Sequence, residues 1–134
     1  MSKSVLLSWV LFAAFVALAL GLHWHAQLWV FSGAAGVGKA LVWLAWLAFV
    51  GYSIHCSRRE NIVKSIRGML RLYWGRQIIL DLYLSVALFL VLIVVHQGAL
   101  VMLAWLLPIV LFANQAMLLY VAIHFESLLA LLLN

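Results

Sequence analysis

The sequence predicts an all-α integral membrane protein, a bundle of four transmembrane helices with a basic amphipathic cytoplasmic segment between helices 2 and 3. Three observations predict it. The chain is 69% hydrophobic and only 8% charged, whereas a soluble domain carries about 25% charged residues to cover its core. Apolar runs of near-spanning length recur along it. Six of its eight Lys and Arg residues fall between Arg58 and Arg76, as expected of one cytoplasmic loop. At 134 residues the whole chain, 1–134, reads as a single transmembrane domain.

A spanning helix needs roughly 20 apolar residues, because the hydrocarbon is about 30 Å thick and each residue rises 1.5 Å. The first such run is 5–22, preceded by Lys3. It has the outline of a signal peptide, but it is long for one and "GLHWHAQ" is a poor cleavage site, so it reads as a retained first span. The loop that follows carries Trp24 and Trp29, residues at home in the interfacial belt. Leu28 to Phe31, "LWVF", has the composition to dip into the headgroup layer.

Next comes "SGAAGVGKA", Ser32 to Ala40, in which Gly33 to Lys39 spells G-x-x-x-x-G-K. A phosphate-binding loop joins a strand to a helix and follows its Lys with a Ser or Thr that holds magnesium. Here Ala40 replaces that hydroxyl and no strand precedes the motif. The stretch reads as a turn of small residues, with Lys39 snorkelling from the start of the second span. Neither nucleotide nor nucleic acid is an expected partner.

The second span is 40–56. Ala45, Ala48 and Gly51 are spaced to let another helix approach closely, beside the anchors Trp43 and Trp46. In the basic segment, Ile62, Ile66, Met69, Leu70 and Tyr73 step along one helix face. Arg58, Arg59, Lys64, Arg67, Arg71 and Arg76 supply the lipid-facing charge. Such a helix lies in the interface over anionic lipids, each basic residue contributing about 1 kcal/mol. The third span is 77–95. A tight turn at "HQGA" leads to the fourth, 99–123, in which Pro108 frees the carbonyl of Ala104 and favours a kink. The basic loop belongs inside. An even number of spans then puts both termini in the cytoplasm and the four tyrosines, Tyr52, Tyr73, Tyr83 and Tyr120, at inner ends or in the inner loop. The small size suits a bacterial inner (plasma) membrane.

Two groups of residues carry chemistry. Asp81 shares a helix face with Gln77 and Ser85. With the turn centred at Gln97–Gly98, antiparallel register sets Asn114 opposite Asp81 and Gln115 beside it. This intramembrane polar cluster reads as a proton, ion or ligand site, as interhelical hydrogen bonding, or, with Asp81 paired to Arg76, as an ion pair near the surface. The second group is the histidines. The expected topology puts His23, His25 and His96 at the outer level, and His55 and His124 at the inner. Axial pairs from His23, His55, His96 and His124 are what two haem b groups in a four-helix bundle require. His23, His25 and His96 are the candidate ligands of an outer Zn or Cu ion. All five lie at span ends, shallow for haem ligands.

The lone Cys56 makes no intramolecular disulfide. The sequence has no Ser/His/Asp set, no paired carboxylates at one level and no HExxH, which argues against an enzyme. The expected function is therefore non-catalytic. The chain acts through helix–helix contacts, as an accessory or assembly subunit of a larger membrane complex or as a small homo-oligomer. The alternative is a redox or proton-handling membrane protein, haem- or quinone-linked, that uses the histidines and Asp81.

Overall fold

The computed structural model describes residues 2–134, so residue 1 of the expected 1–134 domain lies outside it. Every regular element is α-helical: α1 (Lys3–Leu22), α2 (Gly33–Arg59), α3 (Ile62–Leu70), α4 (Tyr73–Gln97), α5 (Ala99–Phe112), α6 (Asn114–Ile123) and α7 (Phe125–Leu133). Three of them, α1, α2 and α4, are long and apolar enough to cross a membrane. They contain the expected spans 5–22, 40–56 and 77–95 and extend beyond each. Ser2 caps α1 through its side chain. Asn61 caps α3 by accepting from the amides of Val63 and Lys64, satisfying donors that a first helical turn leaves free.

The expected fourth span, 99–123, is not one helix. It breaks at Ala113, where φ is 45° and ψ −118°, a conformation that a side chain disfavours. Three contacts show that the chain then doubles back. The Trp105 and Tyr120 rings lie 5.0 Å apart, although a continuous helix would separate them by about 22 Å. Trp46 Nε1 donates to the Gln115 carbonyl at 2.9 Å, while Gly38, two turns earlier on α2, faces the Phe125 ring. α6 therefore runs antiparallel to both α5 and α2. α5 and α6 measure about 21 and 15 Å, each short of the roughly 30 Å of hydrocarbon. They form a helical hairpin whose tip stops part-way along the bundle. Pro108 lies within α5 without ending it; the break comes five residues later.

At the end of α6 the chain bends by 80° into α7. The pair α6–α7 is long and apolar enough, taken together, for one broken span. Its first half, however, is the inner arm of the hairpin. Seven of the ten α6 residues are buried against two of twenty in α1, so the core runs along α6. Phe12 and Phe112 meet edge-on at 4.9 Å and Phe15 and Trp105 at 5.4 Å. This aromatic packing holds α1 to the hairpin, and α2 is tied to it by the Trp46–Gln115 hydrogen bond. Gly98, with φ of 95°, makes the one-residue turn between α4 and α5 that a Cβ would strain.

These contacts give the molecule two ends. Ser2, Val5 and Ser57 to Asn61 line a shallow cleft at the basic end. His23, His96 and His124 meet at the other.

Candidate functional site

The hairpin decides which histidines meet. Because α6 returns towards the start of α5, His124 arrives beside His23 and His96. The ring centroids are 5.0 Å apart for His23–His124 and 5.5 Å for His96–His124. Tyr120, one turn before His124, packs its ring 4.6 Å away. The expectation that His124 and Tyr120 lie at the inner level is thereby corrected, since it assumed an unbroken 99–123 helix. His55 stays alone at the basic end, exposed and stacked beside Tyr52. The two-level arrangement expected for a pair of haem groups is not formed: three of its four histidines gather at one end.

His96 is the centre of a hydrogen-bond network. Its Nδ1 is 2.6 Å from Tyr120 Oη and its Nε2 2.9 Å from Ser127 Oγ. Tyr120 Oη donates to Gln97 Oε1 at 3.2 Å, and Ser127 Oγ donates to the His124 carbonyl at 3.1 Å. Each hydroxyl has one proton. With both hydroxyl protons so used, His96 must donate from both ring nitrogens, as imidazolium. A neutral ring closes the same four contacts once the Gln97 amide turns to give an N–H to Tyr120, which then donates to Nδ1. Two proton states of His96 thus share one geometry and differ by a single amide rotation.

His25 does not join this cluster. Its Nε2 bonds the Ile123 carbonyl at 3.0 Å, while His23 Nδ1 bonds the Ala19 carbonyl at 3.0 Å. Among the described residues, no three His, Cys, Asp or Glu side chains converge to hold a metal ion, so His23, His25 and His96 do not form the expected metal triad. His124 Nε2 is buried without a hydrogen-bond partner. A cleft of about 460 Å³ opens beside it, lined by His25, Gln27, Glu126 and Ser127.

Lys39 is also corrected. It does not snorkel but is fully buried. Its Nζ donates to the carbonyls of Gln27 and Val30 and to Glu126 Oε1, the last at 2.6 Å. This is the one ion pair among the described residues, and it ties α7 and the loop after α1 to α2. Glu126 stands in the first turn of α7, where the helix dipole favours an acid. Gly36 and Gly38 are there for packing, whereas Gly33 sits at a φ of 68°. A Cβ on Gly36 would come within 2.5 Å of the Phe31 backbone, and one on Gly38 within 2.9 Å of the Phe125 ring. Glu126 was missed as the partner of Lys39 because the two are 87 residues apart and only the hairpin joins them.

The polar cluster of the third span also comes apart. Gln77, Asp81 and Ser85 share a face of α4, and that face is exposed. Ser85 Oγ donates to the Asp81 carbonyl at 3.1 Å. Among the described residues the Asp81 carboxylate has no salt bridge. Arg76 is turned away, with its Nε donating to the Leu70 carbonyl and its guanidinium over the Tyr73 ring. Asn114 is exposed, and Gln115 is buried with its carbonyl bonded to Trp46. The expected Asp81–Asn114 contact is absent because the chain turns at Ala113 and no helix continues opposite Asp81.

The basic segment forms as a helix. Ile62, Ile66 and Leu70 of α3 are exposed, as are Arg58, Arg59, Lys64, Arg67, Arg71 and Arg76 around it. No protein-family model matches the chain, and no curated protein or solved structure matches it.

Proposed function

We propose that this is a small polytopic membrane protein that works through helix–helix contacts. It acts as an accessory or assembly subunit of a larger membrane complex or as a small homo-oligomer. One observation carries the reading: the exposed Gln77–Asp81–Ser85 face of α4. An ionisable side chain within an apolar span is costly against lipid and is kept where it meets a partner. The positive-inside rule supports an orientation with α3 in the cytoplasm over anionic lipids, in a plasma or bacterial inner membrane. The N-terminus is then cytoplasmic. The hairpin supports placing the start of α7 at the outer end, in place of the cytoplasmic C-terminus expected from four full spans.

The test is cross-linking in intact membranes followed by purification in mild detergent. The reading expects the tagged chain in a species larger than its 15.0 kDa monomer, with either other subunits or further copies of itself. A chain recovered only as monomer contradicts it.

The His96 network favours a second reading, proton handling at the outer end without catalysis of bond exchange. Because both proton states close the same four contacts, a proton is taken up or released with little rearrangement. Proteoliposomes in which a pH-dependent activity is lost with His96→Leu and kept with His55→Leu would support it; equal responses of the two variants would not. Haem b has no supporting pair of histidines at the basic end, where His55 stands alone.

A further inference from the structure

The α4 face that lacks a partner has a complement on the same molecule, at the same depth. On α2, Ala48, Gly51 and His55 are all exposed and step by three and four residues along one face. The first two have little or no side chain, so another helix can approach closely. His55 puts an imidazole at the end of that face.

The depth follows from two contacts of α1 and one of α2. Counting outward from the turn at Gly98, Phe112 of α5 stands level with Leu84 of α4. Asp81, three residues further towards the basic end, is about 4.5 Å below that level. Phe112 packs on Phe12. Trp9, three residues below Phe12, bonds Ser57 Oγ through its Nε1 at 3.1 Å. Through Trp9, Asp81 is level with about Ser57; through Trp46 and Gln115, which stands level with Leu111 and so with Ser85, it is level with about Val50. His55 lies between these two levels. The acid and the imidazole occupy one layer of the membrane, both exposed, on two different helices.

We propose that a second copy of this chain supplies the missing partner, docking the Ala48–Gly51–His55 face of its α2 against the Gln77–Asp81–Ser85 face of α4, so that Asp81 of one copy pairs with His55 of the other. Charge complementarity selects this occupant. Lys39 is closed by Glu126. His55 is the exposed basic group nearest the middle of that layer, and Arg58, exposed and three residues further along the same face, keeps the α2 face basic where the α4 face is acidic. Two copies in one membrane share an orientation, so the contact sets α2 antiparallel to α4. The α2 face brings no acid of its own, and the α4 face brings no base, so the pairing joins unlike surfaces. The inference rests on the reading that the chain works through helix contacts and names the contact.

The experiment uses the full chain in its membrane with Cys56→Ser, which removes the one native thiol. Two copies with different tags are co-expressed, one carrying Asp81→Cys and the other His55→Cys, and are oxidised in the membrane. The expected result is a disulfide-linked species containing both tags. It should be weak or missing when both copies carry Asp81→Cys or both carry His55→Cys. Helix content by circular dichroism checks each variant; if Asp81→Cys fails to fold, Ser85→Cys, one turn along the same face, replaces it. Three results overturn the proposal. Asp81→Cys linking only to itself would mean that like faces meet. Asp81→Cys linking to a different protein would leave the helix-contact reading standing and remove self-docking. No adduct of any kind, with wild-type chain recovered only as monomer, would remove both.

Discussion

At the scale of single residues, the molecule concentrates its polar energetics at the histidine end. Lys39 is buried outright, and removing it leaves Glu126 and two backbone carbonyls without their donor. Breaking a pair buried on both sides costs about 3–5 kcal/mol. Glu126 is 35% exposed, which lowers the expected loss for Lys39→Ala to roughly 2–3 kcal/mol. Thermal unfolding in detergent checks it. Glu126→Gln, which keeps an acceptor for Nζ, should lose less than Lys39→Ala. A Lys39→Ala variant as stable as wild type would mean that the lysine is solvated after all. The histidines provide a second contrast. His96→Leu removes one hydrogen bond each from Tyr120 and Ser127, which keep Gln97 and the His124 carbonyl as partners, so the expected loss is about 1 kcal/mol per bond. His55→Leu touches an exposed ring and should leave the monomer's melting temperature unchanged. Equal destabilisation by the two would contradict the placement of His96 at the centre of the network.

At the scale of elements, the hairpin α5–α6 is the feature on which the rest depends. Its tip is a non-glycine residue held at positive φ, Ala113. A conformation of this kind costs on the order of 1–3 kcal/mol with a Cβ present. Ala113→Gly should therefore raise stability by about 1 kcal/mol, after allowance for the greater freedom of glycine in the unfolded chain. Ala113→Val should lower it. Destabilisation by glycine would indicate that 99–123 continues as a helix, since glycine in a helix interior costs about 1 kcal/mol against alanine. This element is also where the sequence was least legible. Composition and length were enough for α1, α2 and α4, and the Asn61-capped helix α3 followed from the spacing of Ile62, Ile66 and Leu70. Residues 99–123 are apolar and long enough to span, and Pro108 offered the only visible kink. Around Ala113 only Asn114 is a turn-forming residue; no glycine lies nearby, and the reversal is held by distant contacts such as Trp46 with Gln115 and Trp105 with Tyr120. Once that break was missed, the errors about His124, Tyr120, Glu126 and Asn114 followed from it. The Gln77–Asp81–Ser85 stripe was legible from its spacing; that it faces outwards was not, because the register placed a helix opposite it.

At the scale of the whole molecule, the two chain ends part company. The N-terminus lies at the basic end, and α7 begins at the histidine end. A reporter fused after Asn134 should behave as extracytoplasmic, with alkaline phosphatase active there, while one inserted near Glu60 should behave as cytoplasmic. Cytoplasmic behaviour at both positions would restore four full spans and return His124 to the inner level. Beside the stripe the surface of α4 is apolar, with Leu80, Leu84, Leu88 and Val91 exposed, so Asp81 is the ionisable residue that sets this helix apart from plain lipid contact. The proposed function puts this acid in a contact between chains. Its most direct measurement is the native mass of the purified protein in mild detergent, wild type beside Asp81→Leu. The expected result is a wild-type assembly larger than the 15.0 kDa monomer and a shift of Asp81→Leu towards the monomer with its helix content intact. A wild-type protein that is monomeric, or an assembly indifferent to Asp81→Leu, would contradict it.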